Sequence, residues 1–402
     1  MKHALALCLC GAALPGIAAA QDLHVQGFLE ARALTSDADE DSWTDGGQAK
    51  ARFGESDAAV SAAAALSLSW QAGDSLLAVV DLQAQPQASP ELGVLSAYMR
   101  WRPVSTSPWR WSLRAGAFFP PVSLENDGVG WTSRWTLTPS AINSWIGEEL
   151  RTIGVEARLE RRTARGNLEG GVALFKWNDP TGELIAARGW ALGDVTSPLN
   201  ATVRQPDVDN DGEWVAYQPF VENDGRVGWH ADLQWTSPSG LKLRALRYDN
   251  RAEPDSHSRQ AGRKVFSWQT RFSSLGAELP VGPLLFVSQW MDGSTIIEPV
   301  PGRYFDTRFR AFFLLAARDH GRWRPALRYD RFRIRNLPLV ADDPDDEDGH
   351  AWTLALNWRP REQWRMTGEW LRIDSERGLR LLEGVPARQR ENLLQLSLRY
   401  QF

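Results

Sequence analysis

The chain ends in the stretch Asn392-Leu393-Leu394-Gln395-Leu396-Ser397-Leu398-Arg399-Tyr400-Gln401-Phe402, in which apolar and polar residues alternate with a period of two. Leucines, a tyrosine and the final phenylalanine fall on one face, and glutamines, a serine and an arginine on the other. Successive side chains of a β-strand point to opposite faces, so the pattern predicts a strand with one apolar and one wet side. A strand buried on both faces would instead be a continuous apolar run.

The same alternation recurs along the chain, and its connections alternate between tight turns and long loops. Short turns at one end and long loops at the other are typical of transmembrane β-barrels, in which an even strand number leaves both termini on the short-turn side. The sixteen predicted strands lie near residues 23–33, 59–70, 74–84, 92–102, 109–119, 150–161, 166–177, 226–236, 241–250, 264–274, 283–291, 305–318, 322–335, 350–358, 364–373 and 391–402.

The placement of tryptophan separates a membrane barrel from a soluble β-sandwich, which would turn its apolar face inward. Indole rings suit the boundary between membrane and water, whereas a sandwich gives no reason for tryptophans to gather at strand ends. A barrel must also close, because an open sheet edge in hydrocarbon leaves amides unpaired. We therefore predict an all-β transmembrane antiparallel barrel of sixteen strands. The tryptophans near predicted short turns are Trp70, Trp101, Trp109, Trp235, Trp323, Trp358 and Trp364.

Length and composition exclude several other classes. A chain of 402 residues ordinarily divides into two or three soluble domains, but the alternation runs through all of it and indicates one barrel over residues 21–402. Beyond the first twenty positions no segment approaches the roughly 18 apolar residues of a membrane helix. A net charge of -5 gives no support for nucleic-acid binding.

The first twenty residues have the three-part composition of an export signal. Lys2 and His3 form a positive region, 4–14 is apolar, and Ala18-Ala19-Ala20 supplies a small-residue cleavage site. We predict that residues 1–20 are removed. Both cysteines, Cys8 and Cys10, lie in this segment, so no disulfide is expected in the mature protein.

The strand pattern and the terminal Leu398-Arg399-Tyr400-Gln401-Phe402 resemble the sixteen-stranded porins of Gram-negative outer membranes. The segments 25–32 and 138–151 resemble, more narrowly, the phosphate-selective (O/P-type) porins. The resemblance implies an outer-membrane location, a passive diffusion channel for small polar or anionic solutes, and a homotrimer. It also implies that Phe402 is part of the signal for the barrel-assembly machinery, and that the surroundings are outer-membrane lipid and lipopolysaccharide.

Inward-facing arginines are the candidate pore-lining residues. Arginine keeps its charge at any working pH, so a column of arginines along a pore wall attracts anions. The alternative is that arginines and glutamates only pair across neighbouring strands and keep the wall polar. Phosphate-selective porins guide their anion with lysines, and beyond residue 20 this chain has only four, so phosphate selectivity requires arginine in their place. The predicted pore-lining residues are Arg110, Arg114, Arg158, Arg244, Arg271, Arg308, Arg310, Arg324, Arg328 and Arg365.

Segment 120–149, after the fifth predicted strand, is the candidate constriction loop. Its acids Glu125, Asp127, Glu148 and Glu149 would face lumen arginines and set a transverse field. The alternative is an external loop packed on the barrel rim. Its tryptophans would stack sugar rings or anchor the loop, and anchoring is favoured.

Two further loops are acidic. Asp207, Asp209 and Asp211 open a D-x-D-x-D-G pattern over 207–212, which predicts either a Ca²⁺ site or a solvated loop, and Gln218 stands where a calcium loop has glutamate. This pattern lies in a predicted long external loop, 178–225. The acidic run 342–348 either bridges to lipopolysaccharide through divalent cations or is simply hydrated.

Catalysis finds little support in the sequence. His230 and Asp232 share the inward face, but no serine or cysteine nucleophile lies near them along the chain. We predict a non-enzymatic channel with modest anion preference, with no cofactor beyond the Ca²⁺ considered above. A carbohydrate- or other substrate-selective channel is the alternative, and an outer-membrane barrel enzyme is a remote one.

Overall fold

The computed structural model describes residues 23–206, 214–260, 263–337 and 345–402. The predicted signal segment 1–20 and the predicted calcium loop 207–212 lie outside the described residues.

A closed antiparallel barrel of sixteen strands confirms the predicted fold. Each strand pairs with the next along the chain, and the last pairs with the first. The strands are β1 Leu23–Ser36, β2 Ser56–Ala72, β3 Leu76–Ala84, β4 Leu92–Trp101, β5 Trp109–Phe118, β6 Thr152–Thr163, β7 Gly166–Lys176, β8 Gly228–Thr236, β9 Lys242–Asp249, β10 Gln269–Val281, β11 Leu284–Val300, β12 Arg303–Arg318, β13 Trp323–Leu337, β14 Glu347–Arg361, β15 Trp364–Arg377 and β16 Arg388–Gln401.

The barrel closes between β1 and β16, and Phe402 extends this seam. The backbone N–H of Gly27 donates to the carbonyl of Phe402 at 2.9 Å, and the N–H of Phe402 donates back at 3.1 Å. A Cβ at Gly27 would lie 2.6 Å from the Phe402 ring, so only glycine admits the terminal aromatic residue here.

Opposite faces of β16 have opposite exposure. Leu394 and Leu396 are each 55% exposed, whereas Gln395 and Ser397 are each 1% exposed. The apolar face therefore points outward and the polar face into the lumen, the reverse of a soluble sandwich.

Aromatic residues border the outward apolar belt at both ends. At the short-turn end Trp70, Trp101 and Trp323 are each more than 40% exposed, as the tryptophan pattern predicts. At the long-loop end Tyr329 lies against Trp352, with ring centroids 4.8 Å apart. An apolar belt between two aromatic borders has the form of a membrane-spanning surface.

Predicted and observed strands differ most at β10. Residues 264–266 belong to a separate hairpin, His257–Gln260 with Arg263–Phe266, and β10 starts only at Gln269. The alternation there was correct, but period alone does not distinguish a loop hairpin from a barrel strand.

Within the described ranges, helical structure is confined to loop segments: α1 Ala141–Glu149, α2 Glu183–Ala187 and a 3₁₀ turn at Gly378–Glu383. Among the described residues, none of the helices has the length and apolar character needed to cross a membrane.

Candidate functional site

A cavity of about 450 Å³ opens in the lumen at the short-turn end of β4 to β9. We call it the arginine cavity, because its lining has seven arginines against three glutamates. Four of the predicted pore-lining residues, Arg110, Arg114, Arg158 and Arg244, meet here. The charged lining residues are Arg100, Arg102, Arg110, Arg114, Arg158, Arg162, Arg244, Glu156, Glu160 and Glu169.

Strand register places two of these arginines side by side. Arg100 on β4 is directly opposite Arg114 on β5. Arg114 has an acidic partner, Glu156, at 2.9 Å. Arg100 and Arg110 form no ion pair within the described ranges, and their buried Nε atoms have no hydrogen-bond partner there. The cavity therefore holds cationic donors that the wall does not neutralise.

Arg158 is the most heavily paired arginine of this wall. Its guanidinium contacts Asp232 at 2.7 Å and Glu169 at 2.7 Å. Arg158 therefore fits the alternative in which arginines pair with acids on neighbouring strands and only keep the wall polar. The cavity combines neutralised arginines with unneutralised ones.

The segment 120–149 lies inside the lumen. Every residue of α1 is buried, and the Glu369 carboxylate of β15 accepts hydrogen bonds from the backbone N–H groups of Leu137 (2.5 Å) and Thr138 (2.9 Å). Ser140 caps α1, with its hydroxyl accepting from the N–H of Asn143. The barrel wall thus satisfies the backbone of a loop that has left the surface.

Arg328 on β13 fastens this loop. Its buried guanidinium contacts Glu125 at 2.6 Å and Asp330 at 2.7 Å, and it donates to the carbonyl of Thr138 at 2.7 Å. Glu125 does face an arginine, as the eyelet hypothesis expects. The two form a dry, neutralised contact, however, and not a field across an open passage.

The other three acids of the loop have separate surroundings. Asp127 is exposed. Glu148 contacts Arg188 at 2.6 Å. Glu149 accepts hydrogen bonds from Trp145 (2.5 Å), Tyr217 (2.9 Å) and the N–H of Leu184 (3.0 Å), and burial raises the pKa of Glu149 to about 7.

The tip of the loop reaches the opposite wall. Gly130 has φ +68°, and a Cβ there would lie 2.7 Å from the Cβ of Ala65 on β2. Beside it, Trp131 stacks on Phe119 with ring centroids 4.0 Å apart. Trp145 is 3% exposed and packs against lumen-facing phenylalanines. The tryptophans therefore anchor the loop.

The first part of the segment predicted as a long external loop, 178–225, also enters the lumen, which corrects that prediction. Asp194 contacts Arg32 of β1 at 2.8 Å and Arg52 at 2.8 Å, and Trp190 is fully buried against Phe309 of β12. Apolar side chains on both the loop and the wall exclude water at this level, a feature that periodicity does not reveal.

A second cavity, of about 340 Å³, opens at the long-loop end and is lined in part by Trp43, Glu148, Arg188 and Arg204. It shares no lining residue with the arginine cavity. Segment 120–149 and residues 190–202, which we call the strap, pack between the two cavities. The lumen is therefore strongly constricted.

The prediction that they line the pore is wrong for three of the arginines. Arg271, Arg308 and Arg310 are exposed on the outer surface, in phase with outward leucines such as Leu314. Strand β12 is apolar on both faces between residues 311 and 317 because its inner face packs on the loops, so alternation did not identify the inner side. Arg324, Arg328 and Arg365 do face inward, but the loop covers them, through contacts with Arg134, Thr138 and Ser133 respectively.

The acidic run 342–348 is described only from Asp345 onward. Asp345 pairs with Arg377 at 2.9 Å, and Asp348 with Arg333 at 2.8 Å. These acids therefore have arginine partners within the chain.

Glu156, His230 and Asp232 place their ligand-type atoms within 4.8 Å of one another. The Arg158 guanidinium already contacts Asp232 at 2.7 Å and Glu156 at 3.3 Å, so it occupies the position a cation would take. His230 is hydrogen-bonded to Thr152 at 2.9 Å. Asp179, Glu222 and Asp224 form a similar group among the loops, with carboxylates accepting backbone N–H groups.

The sequence interpretation missed the strap contacts. Asp194 lies 162 residues from Arg32 and 142 from Arg52, and no local pattern connects them. The sequence pattern could have identified Arg102 and Arg162, because they continue the two-residue inward phase of Arg100 and Arg158. Arg102 lies just after β4, and Arg162 lies near the end of β6.

Comparisons with known proteins identify the architecture. No family model and no curated protein sequence matches the chain. Among solved structures, the outer membrane channel DcaP of Acinetobacter baumannii has a TM-score of 0.58 at 11% identity, with 95% of this chain and 97% of that chain covered.

Two further structures are similar. The anion-selective porin from Comamonas acidovorans has a TM-score of 0.52 at 11% identity, covering 95% of this chain and 99% of that one. OmpT of Vibrio cholerae in its trimer form has a TM-score of 0.52 at 10% identity, covering 94% and 99%. At such identities the likeness concerns the fold alone.

Proposed function

We propose that this chain is an outer-membrane porin, a passive diffusion channel for small polar solutes that prefers anions, phosphate among them. Its location would be the outer membrane of a Gram-negative bacterium. The similar solved structures include an outer membrane channel and an anion-selective porin, and the aromatic-bordered apolar belt supports a membrane setting.

The proposed anion preference rests on one observation, that Arg100 lies directly opposite Arg114 on the neighbouring strand. Like charges directly opposite each other on neighbouring strands destabilise a sheet, and Arg100 has no carboxylate partner among the described side chains. An anion passing through the arginine cavity would relieve this repulsion. Arginine presents a planar donor fork that matches phosphate and carboxylate oxygens.

The loop 120–149 is the proposed constriction, and the strap 190–202 narrows the other end. A solute would cross between them and the wall of β3 to β5, so conduction requires these segments to shift. The contacts of Arg328 and Glu369 set how readily the first segment does so.

A homotrimer is also proposed. The outward residues of β1 to β3 are uncharged, and towards the long-loop end they are mostly small, with Ala31 opposite Ala62 and Ala33 opposite Val60. Val60 is 83% exposed, and we call this part of the surface the small-residue face. A flat surface of this kind suits close packing against another copy of the chain. One similar structure is a trimer form.

Liposome swelling tests the proposed function. Liposomes with refolded protein should swell faster in gluconate than in glucose, because the two solutes are similar in size and differ in charge. Arg100→Gln with Arg114→Gln should remove most of this difference, whereas Arg308→Gln with Arg310→Gln, on the outer surface, should not. Faster swelling in glucose would contradict anion preference, and no swelling in either solute would contradict the channel.

A further inference from the structure

The outer surface of β12 and β13 carries five arginines at the long-loop end, including residues that the sequence pattern had placed in the lumen. They alternate with Phe309 and Phe332, which point into the lumen and are each 1% exposed. We call this set the arginine arc: Arg308, Arg310, Arg331, Arg333 and Arg335.

The arc lies just beyond the aromatic border of the apolar belt. Arg331 follows Tyr329 by two residues on the same face, and Arg310 precedes Phe312 by two. Two residues of a strand advance by roughly 7 Å, so the guanidinium groups lie at the depth where lipid head groups meet the acyl chains.

Arginines in the arc face each other directly. Arg308 is opposite Arg335, and Arg310 is opposite Arg333. Side by side, such pairs repel unless anions lie between them. The five arginines of the arc therefore lie close together at one level of the outer surface.

Carboxylates of the chain neutralise the arc only in part. Four carboxylates contact the five arginines. Asp348 contacts Arg331 at 3.2 Å, Arg333 at 2.8 Å and also Arg335, and Asp346 contacts Arg335 at 3.5 Å. Asp306 contacts Arg308 at 3.4 Å and Asp292 contacts Arg310 at 2.6 Å, so the arc keeps an excess of one positive charge. Because a guanidinium has five N–H donors and the five arginine side chains remain 38–63% exposed, donors stay available on the lipid side. The pattern continues on β15 and β16, where Arg372 and Arg390 share Asp374.

The outward face of β1 to β3 differs. Along Val25–Thr35 of β1 and Ala58–Trp70 of β2, the outward positions carry no charge. Charge for solubility alone would be distributed around the whole rim. Instead the charged residues lie away from the small-residue face, which suits contact with another copy of the chain. They lie on strands that would face lipid.

We propose that the arginine arc binds the phosphate groups of a phosphorylated glycolipid, the lipid A portion of lipopolysaccharide, in the outer leaflet. Guanidinium forks bind phosphate oxygens in a bidentate manner. The acyl chains of the same molecule lie along Leu314 and Leu327, which are 42% and 44% exposed directly below. One molecule thus meets both the charged and the apolar part of this surface.

Native mass spectrometry of the refolded full chain in detergent tests this site with diphosphoryl lipid A and with chemically dephosphorylated lipid A as probes. The diphosphoryl form should bind about tenfold more tightly. The triple variant Arg310→Gln, Arg331→Gln and Arg333→Gln should lose about tenfold in affinity. The matched control Arg318→Gln, Arg359→Gln and Arg361→Gln, at the short-turn end, should bind as the unmodified chain does.

The variant Asp348→Asn tests the same site if the triple variant does not fold. It leaves Arg331 and Arg333 without a carboxylate partner among the described residues, whereas Arg335 keeps Asp346 at 3.5 Å. Binding of diphosphoryl lipid A should therefore tighten about threefold. Equal binding of the two probes by the unmodified chain would overturn the proposal. So would a loss of binding in Asp348→Asn, or an equal loss in the short-turn control.

Discussion

The guanidinium of Arg328 lies 2.6 Å from the carboxylate of Glu125, and both side chains are fully buried. Arg328 belongs to the wall strand β13, and Glu125 to the segment that crosses the lumen. The contact joins the moving part of the proposed channel to its rigid part. Breaking a buried ion pair is costly because the remaining charge stays uncompensated.

Arg328→Met should therefore free the loop. The change leaves Glu125 and Asp330 without their cation and should cost about 3 kcal/mol of loop packing. We expect a higher and noisier single-channel conductance in planar bilayers. Arg318→Met, an exposed arginine on β12, is the control and should leave conductance unchanged; an unchanged conductance in Arg328→Met would mean that the loop does not limit flow.

Deleting residues 125–135 tests the constriction itself. The deletion removes the loop tip, including Gly130 and Trp131, and should raise conductance severalfold, since pore resistance depends on the narrowest section. Conductance equal to that of the full chain would reject this segment as the constriction.

Gly130→Ala tests the contact between the loop tip and β2 by adding one methyl group. The residue has φ +68°, and the added Cβ would lie 2.7 Å from the Cβ of Ala65, so backbone strain and steric overlap together should cost about 2 kcal/mol. Gly73→Ala is matched in φ, at +65°, with no atom within 4 Å. Only the Gly130 variant should alter conductance, and equal effects of the two would show that the overlap is irrelevant.

The fold was predictable from particular residues, whereas much of the lumen was not. In β16 the contrast between Leu394 and Gln395 identified the outward face, because lipid and water act on opposite sides of one strand. In β12 the same rule failed, since Arg310 is exposed on the outer surface and Phe309 faces packed loops. Loop placement depends on contacts such as Asp194 with Arg32, whose partners are far apart in sequence and whose geometry no local period encodes.

Conductance should depend on pH through Glu149. Burial raises the pKa of Glu149 to about 7 from an ordinary value of 4.5, so the folded loop favours the protonated acid. Its packing is then most stable below pH 4.5, and about 3 kcal/mol of that stability is lost as the pH rises through 7. Conductance should rise between pH 5 and pH 8.5.

Glu149→Gln is the control for this effect. The amide keeps one carbonyl acceptor, for Tyr217 and the N–H of Leu184, which donate to the same oxygen of Glu149, and it loses the acceptor for Trp145. It does not titrate, so the pH profile should flatten. Burial raises the pKa of Tyr217 above its ordinary value of 10, which removes that neighbour as a source of the change. A profile in Glu149→Gln as steep as that of the unmodified chain would place the pH dependence elsewhere.

Ala62→Arg should dissociate the proposed trimer. A long cation on the small-residue face prevents close contact with another copy, and sedimentation in detergent should show monomers. Ala316→Arg places the same side chain on the outward face of β12 and carries a similar membrane cost of about 2–4 kcal/mol, but should remain trimeric. Monomers in both variants, or in the unmodified chain, would contradict the assignment of this face.

The reversal potential of the refolded barrel in a planar bilayer under a KCl gradient measures its ion preference directly. We expect a potential with the sign of chloride preference, reduced towards zero in Arg100→Gln with Arg114→Gln. A potential with the sign of potassium preference would contradict the role assigned to the arginine cavity, and a bilayer that stays insulating in the presence of inserted protein would contradict the channel itself.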